Sequence, residues 1–270
     1  MRILFVADVI GGPGRKVAKG LLRQVKEELQ AQVTILNGEN SAGGFGITPD
    51  GVAEFLDMGV DVITTGNHVW DKREILPVLD REPRLLRPAN YPDGNPGHGC
   101  VVINVGAVRL AVLNLQGRVF MPAIDDPFRG ADRLLKELEG AADVVVLDFH
   151  AEATSEKQAM AHHLDGRIGA LVGTHTHVQT ADERVLPGGT AYITDIGLTG
   201  SLGGVIGMKP EISLQRQILQ TRGERMQPAD TELYLQGAVV DLDETTGLAR
   251  SIDRVSVPYA RALQSAFGRL

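Results

Sequence analysis

The chain has 270 residues, of which 43% are apolar and 23% charged, with a formal net charge of −7. This composition excludes general disorder, and the acidic balance argues against stable nucleic-acid binding or attachment to an anionic membrane. The lone Cys100 excludes an internal disulfide and is interpreted as a buried thiol in a reducing compartment. Because Asp8 interrupts the N-terminal apolar run and no run is long enough to span a membrane, we expect a cytoplasmic protein.

The first 80 residues alternate short apolar runs with amphipathic segments, which predict strands and helices respectively. In chain order the predicted elements are a strand at 2–7, a helix at 14–30, a strand at 33–38, a helix at 49–59, a strand at 60–66 and a short helix at 72–80, which Pro77 interrupts. Repeated strand–helix–strand units predict a sheet with parallel strands and crossover helices.

From residue 100 onward the β signal is more frequent. The predicted elements are two strands across 100–117 with a tight turn at 106–109, a helix at 126–140, a strand at 143–150, a helix at 155–166, a strand entering "GALVGTHTH" (169–177), and four β segments, "ERVLP", "TAYITDIG", "LQGAVVDLD" and "ARSIDRVSVP". No linker or internal repeat is recognisable in the sequence. We therefore expect one α/β domain over residues 1–270, with two mixed β-sheets packed face to face and helices outside.

Several predicted strands end on a side chain that could bind a metal ion. The five residues at these strand ends are Asp8, Glu39, Asn67, His150 and His175. In open α/β sheets, ligands bind in the crevice beyond the carboxyl ends of the strands. The sequence therefore predicts that these side chains meet in a polar cluster at one edge of the fold.

His175 and His177 are two positions apart, so on an extended segment both imidazoles would point the same way. An isolated His-x-His pair is more often two hydrogen-bonded loop histidines, but the other strand-end groups favour metal ligands. With Asn40 included, the candidate ligands number seven, whereas one catalytic ion usually keeps about three protein ligands. Two ions about 3.5–4 Å apart with a shared carboxylate fit this set, and oxygen and nitrogen donors without thiolate favour iron, manganese or zinc.

Two adjacent cations suit phosphoryl chemistry. They would lower the pKa of a bridging water, which gives a hydroxide nucleophile, and neutralise the phosphate oxygens. His68 directly follows Asn67 and is the candidate general acid that protonates the leaving alkoxide. Asp71 could orient His68, although a solvated carboxylate at a helix start is the simpler interpretation.

The motifs "GNH" (66–68), His150 and "GTHTH" (173–177) resemble those of the calcineurin-like metallophosphoesterases. The signature of that superfamily runs Asp-x-His, Gly-Asp, Gly-Asn-His, His, Gly-His-x-His. This chain has "DVI" (8–10) in place of Asp-x-His, and Glu39 followed by Asn40 in place of Gly-Asp. Those substitutions, with "ADVIGGPGR" at the start, resemble the YmdB-like branch of bacterial phosphodiesterases.

The resemblance implies a four-layer metallophosphoesterase sandwich and a homologous binuclear site. It implies one ion among Asp8, Glu39, Asn40 and His177, and a second among Glu39, Asn67, His150 and His175, with His68 as the acid. The implied substrates are small phosphodiesters, 2′,3′-cyclic nucleotides especially. The alternatives are a phosphomonoesterase or protein phosphatase on the same scaffold, or a non-catalytic regulatory protein that contains metal. A homo-oligomer is compatible with either function.

Other motifs leave alternatives open. "IGGPGRK" (10–16) fails as a dinucleotide fingerprint because Val17 stands at the third glycine, so a plain strand-to-helix turn is favoured. The glycine-rich segments 41–46 and 199–210 could form a pocket wall and a lid, or ordinary turns. Three aromatic residues lie close enough to the motifs to stack on a base, although core packing is the preferred interpretation for each: Phe45, Trp70 and Phe120.

Overall fold

The structure is a computed structural model that describes residues 1–220 and 223–262. The strands are β1 Arg2–Val6, β2 Asp8–Val9, β3 Val33–Asn37, β4 Val62–Thr64, β5 Cys100–Val105, β6 Val108–Gln116, β7 Val144–His150, β8 Ala170–Thr174, β9 Arg184–Val185, β10 Ala191–Ile193, β11 Leu198–Ser201, β12 Leu233–Leu242 and β13 Ala249–Pro258. The helices are α1 Gly11–Glu28, α2 Pro49–Asp57, α3 Leu76–Arg81 after a 3-10 turn at Arg73–Ile75, α4 Pro127–Glu137, α5 Thr154–Leu164 and α6 Pro210–Leu219.

The strands form two mixed sheets. In the first sheet the order is β2-β11-β12-β1-β3-β4, and β13 pairs with β12. In the second sheet the order is β5-β6-β7-β8-β10-β9. Strands β1, β3 and β4 run parallel to one another, as do β6, β7, β8 and β10, whereas β12, β5 and β9 join by antiparallel pairing.

The two sheets pack face to face because alternate residues on their strands are apolar. Ile3 and Phe5 of β1 pack in one buried cluster with Val146 of β7 and Val172 of β8. The opposite face of the first sheet is covered by α1, α2 and α3, and that of the second sheet by α4 and α5. The layers are therefore helix, sheet, sheet and helix, which confirms the predicted sandwich of two mixed sheets.

The glycine-rich regions are more regular than the sequence indicates. Helix α1 begins at Gly11, so most of "IGGPGRK" lies inside the first turns of a helix and not in a loop. Gly11 has a φ of +56°, and a Cβ on it would lie 2.5 Å from Pro228, so only glycine fits there. The segment 199–210 contains most of β11, whose Leu198 pairs with Asp8 of β2.

Two interpretations from the sequence, those for Cys100 and Phe120, change in the structure. Cys100 is half-buried, and burial raises the pKa of its thiol to about 11. Phe120 is 90% exposed, so the preference for core packing is wrong at that position. Trp70 is partly buried and packs against the core, edge-on to Tyr91 with 5.1 Å between ring centroids. Among residues 1–220 and 223–262, no helix combines the length and the apolar character that a membrane crossing requires.

Candidate metal centre

The seven predicted ligands lie together where the strands of both sheets end. Asp8 comes two residues after β1, Glu39 and Asn40 follow β3, and the remaining ligands follow β4 or end or follow β7 and β8. The crevice beyond the carboxyl ends of parallel strands is where α/β folds bind ligands. The structure thus brings all seven side chains to one edge, as the sequence predicts.

One group of ligand atoms surrounds the ring of His150. Its Nε2 lies 3.1 Å from Glu39 Oε1 and 3.0 Å from Asn67 Oδ1. His175 Nδ1 lies 3.0 Å from the same His150 nitrogen. Ligand atoms of Glu39, His150 and His175 all lie within 4.8 Å of one another, a spacing at which one cation can contact all three.

A second group of ligand atoms also meets Glu39 at its Oε1 atom. The Nδ2 atom of Asn40 is 3.0 Å from Glu39 Oε1, 3.1 Å from His177 Nε2 and 3.5 Å from Asp8 Oδ1. His177 Nε2 is itself 3.6 Å from Asp8 Oδ1. Glu39 therefore belongs to both groups, which is the position that a bridging carboxylate requires.

The two histidines of "GTHTH" reach the cluster by a different backbone path from the predicted one. Strand β8 ends at Thr174, and His175 and His177 have φ angles of +98° and +63°. The expectation of an extended segment is wrong here, because left-handed residues turn the chain after the strand. Non-glycine residues adopt this conformation at a cost, and such positions cluster at functional sites. The two imidazoles still face the cluster, one in each group of ligand atoms.

Burial makes the cluster depend on positive charge. Asp8 and Glu39 are fully buried, and buried carboxylates need a compensating cation. Burial acts to raise the pKa of Glu39, but the charge and hydrogen bond of His150 outweigh it and lower that pKa to about 2. Burial acts to lower the pKa of His177, but the hydrogen bond and charge of Asp8 raise it to about 9. Both shifts show that the buried carboxylates favour positive charge beside them, which is the charge that a metal ion carries.

His175 behaves differently from the other two histidines. Burial, reinforced by the neighbouring charge of His150, lowers the pKa of His175 to about 3, so its ring is neutral and ready to bind a cation. Its Nε2 lies 3.1 Å from the half-exposed carboxylate of Glu152, which the sequence analysis did not single out. The sequence could have indicated Glu152 as a site residue, because it lies two positions after His150 at the end of β7.

A buried network behind His150 fixes the orientation of its ring. His150 Nδ1 lies 2.9 Å from Thr174 Oγ1, which donates a hydrogen bond of 2.7 Å to Asp148 Oδ1. Thr64 and Asn37 donate to the other oxygen of Asp148 at 2.5 and 3.1 Å. Burial raises the pKa of Asp148 to about 6, although the hydrogen bond from Thr64 acts to lower it. The network leaves His150 Nε2 facing the cluster, an arrangement typical of metal-binding histidines.

A buried ion pair supports the turn that carries His175 and His177. Lys157 Nζ lies 2.8 Å from Asp195 Oδ2 and donates to the carbonyl oxygen of Thr174, also at 2.8 Å. The same Asp195 oxygen accepts from the backbone N–H of Thr176 at 3.1 Å. Both charged side chains are fully buried. The sequence analysis missed this pair, because a lysine within a helix looks like a solvated residue.

His68 lies at the edge of a pocket of about 300 Å³ that opens onto the cluster. Its backbone N–H donates to Glu39 Oε2 at 3.1 Å, and its Nδ1 lies 2.9 Å from Asp71 Oδ2. Asp71 is therefore the partner of His68 and not an isolated solvated carboxylate. Next to this turn, a Cβ on Gly66 would lie 2.2 Å from the ring of His150, so "GNH" requires its glycine.

The sequence of the chain matches the family described as YmdB-like protein over residues 4–255. The chain belongs to the YmdB-like family. It is 47% identical over 257 residues to the 2′,3′-cyclic-nucleotide 2′-phosphodiesterase of Bacillus subtilis strain 168. The aligned region covers 95% of this chain and 97% of the relative. The predicted membership of this family is confirmed, and so is the prediction of a phosphoesterase.

Solved structures agree with the observed fold of this YmdB-like protein. A structure described as a novel phosphatase from Mycoplasma pneumoniae has a TM-score of 0.90 and 32% identity, over 97% of this chain and 96% of that one. The calcineurin-like phosphoesterase YfkN from Bacillus subtilis has a TM-score of 0.58 and 13% identity, over 100% of this chain and 96% of that one. The second likeness concerns the fold alone.

Proposed function

We propose that this YmdB-like protein is a phosphodiesterase that holds two metal ions and hydrolyses 2′,3′-cyclic nucleotides. The observation that carries the proposal is that the buried carboxylate of Glu39 contacts both groups of ligand atoms. The substrate class comes from the Bacillus subtilis relative at 47% identity, which is named a 2′,3′-cyclic-nucleotide 2′-phosphodiesterase.

The residues present fit two cations. Asp8, Asn40 and His177 would hold one ion together with Glu39, and Asn67, His150 and His175 would hold the other together with the same carboxylate. The Asn40 side chain presents its nitrogen to three neighbours, and a rotation of its amide group would present the oxygen as a ligand instead. Oxygen and nitrogen donors without thiolate favour iron or manganese, with zinc as a further candidate.

The side chains of the protein would divide the reaction between them. Cations held by these residues would supply Lewis-acid activation of water and neutralisation of negative charge on the phosphate oxygens. Asp71 engages His68 Nδ1, which assigns proton donation to Nε2. As the new P–O bond forms, the bond from phosphorus to the ribose 2′ oxygen breaks. His68 gives that oxygen its proton, and the product is a nucleoside 3′-phosphate.

The proposal is tested by elemental analysis of the purified protein beside a substrate screen with iron, manganese and zinc. We expect about two metal ions per chain and faster turnover of cyclic nucleotides and bis-p-nitrophenyl phosphate than of p-nitrophenyl phosphate. Faster turnover of the monoester would instead favour a phosphatase, the description given to the Mycoplasma pneumoniae structure. Metal without turnover of any ester would favour a non-catalytic regulatory protein.

A further inference from the structure

The pocket beside the metal centre has one polar side and one apolar side. The polar side carries His68 and four of the candidate ligands, Glu39, Asn40, His175 and His177. The apolar side is formed by Ile206 together with Phe45, Met208 and Met226, and we call the last three the apolar wall. The three side chains pack in a single cluster with buried Ile10 and Leu198. Neither metal binding nor proton transfer uses these residues, so the apolar wall requires a different explanation.

The apolar wall is built on a rigid base. Met208 is only 3% exposed and closes one side of the loop that carries Phe45. Gly44 has a φ of +98°, and a Cβ on it would lie 2.6 Å from the methyl group of Met208. The loop is also closed on itself, because the N–H of Ala42 donates to the carbonyl oxygen of Gly46 at 2.9 Å. Phe45 therefore stands at the pocket on a backbone that packs directly against Met208.

A single residue, His68, contacts both the apolar wall and the candidate metal centre. The ring centroid of Phe45 is 4.9 Å from that of His68, with the ring planes at 67°. His68 in turn donates its backbone N–H to Glu39 at 3.1 Å. A ligand whose phosphate sits at the cluster and whose leaving oxygen faces His68 therefore has the apolar wall next to it in the same pocket.

We propose that the apolar wall is a nucleobase subsite. This inference rests on the proposed function, and it specifies what the substrate carries beyond its ribose phosphate. Aromatic side chains bind the π-face of every base, and methionine adapts its shape and makes favourable sulfur–aromatic contacts. A pocket of about 300 Å³ is at the lower end of the usual range of about 300–1,000 Å³ and suits one small ligand. Because Phe45, Met208 and Met226 have no hydrogen-bonding side-chain N–H or O–H, the subsite accepts purines and pyrimidines alike.

The kinetic test compares two cyclic phosphates that differ only in the base. Phe45→Ala should lower kcat/KM for adenosine 2′,3′-cyclic phosphate by about 5- to 100-fold, mainly through KM, since stacking contributes equally to ground and transition states. Turnover of methyl riboside 2′,3′-cyclic phosphate, which has no base, should change by less than about twofold. Phe45→Leu keeps an apolar surface and should recover part of the loss. The matched control is Phe120→Ala, because Phe120 is an exposed aromatic residue outside this pocket.

A second measurement follows binding without turnover. The chain has 6 methionines, whose labelled methyl groups give separate NMR signals, and Met226→Leu identifies one wall signal. Adenosine 3′-phosphate should shift the signals of Met208 and Met226 through the ring current of the base. Methyl riboside 3-phosphate should leave them within about a tenth of that shift.

Each outcome of these experiments bears on a different claim. Equal losses on both cyclic phosphates would overturn the base subsite, because Phe45 would then act only by supporting His68. A loss caused by Phe120→Ala in place of Phe45→Ala would also overturn it, as would unshifted methionine signals. If the wild-type protein turned over neither cyclic phosphate with any of the three metals, the proposed function would fail and the subsite with it.

Discussion

The side chain of His68 is positioned by two neighbouring residues, Asp71 and Phe45. Asp71 engages one ring nitrogen at 2.9 Å, and Phe45 contacts the ring edge-on. The sequence could single out His68, because it follows Asn67 directly in the "GNH" motif. It could not establish the contact with Asp71, since an acidic residue three positions later in a turn is equally compatible with full solvation.

Replacing His68 by alanine tests the acid directly. We expect His68→Ala to lower kcat for cyclic nucleotides by about 10²–10⁴-fold, the usual contribution of a positioned acid. Metal content, measured by elemental analysis, should stay the same, because His68 is not among the seven ligands. Asp71→Asn is the intermediate control. It should lower kcat less than His68→Ala does, because the imidazole of His68 is still present. Unchanged kcat in His68→Ala would show that another group protonates the leaving oxygen.

Cys100 gives a prediction that is independent of the metal centre. Burial raises the pKa of its thiol to about 11, so the thiolate is scarce at pH 8 in the folded chain. Because the thiolate is the reactive form, the folded protein should react with a disulfide reagent at pH 8 about 100-fold more slowly than the urea-unfolded protein. The rate for the folded protein should rise as the pH approaches 11. Equal rates for the folded and unfolded forms would contradict this assignment.

At the level of secondary structure, the sequence predicts long apolar strands well and short polar strands badly. Strands β6 and β7 are mostly apolar and rich in valine and leucine, so their positions can be predicted from the local sequence. Strand β2 has two residues and β11 is "LTGS", which has no strand pattern. Helix α6 was also missed, because its apolar residues do not form one face and three of them are exposed. These elements exist through pairing and packing with distant segments.

The buried pair of Lys157 and Asp195 links helix α5 to the turn after β8. Lys157→Met would leave the Asp195 carboxylate buried without its cation, and it should lower the free energy of unfolding by about 3–5 kcal/mol. Urea unfolding monitored by circular dichroism measures this loss. The matched control is Lys136→Met on the exposed face of α4, with an expected change below about 0.5 kcal/mol. Similar midpoints for the two variants would mean that the ion pair does not stabilise the turn.

At the scale of the whole molecule, the candidate metal centre combines side chains from both sheets. Glu39 and Asn67 follow strands of the first sheet, whereas His150 and His175 end or follow strands of the second. Alternating strands and helices could predict the sandwich, but they could not predict the sheet order, because β1 pairs with β12 across more than two hundred residues. The single domain over 1–270, the cytoplasmic location and the number of subunits stay predictions.

The convergence of the seven ligands could be predicted from the sequence for a physical reason. Parallel strands end at a common edge, so a polar residue after each strand is placed beside the others. The supporting groups could not be predicted in the same way. Asp148, Thr174 and Lys157 act through contacts between different strands and helices, and nothing in their local sequence distinguishes them from ordinary strand or helix residues.

The most direct test of the two-ion centre is anomalous diffraction from crystals of the protein loaded with manganese or iron. We predict two peaks per chain about 3.5–4 Å apart, with the Glu39 carboxylate between them, His177 beside one peak and His150 beside the other. A single peak, or no peak at this edge of the sheets in metal-saturated crystals, would contradict the account.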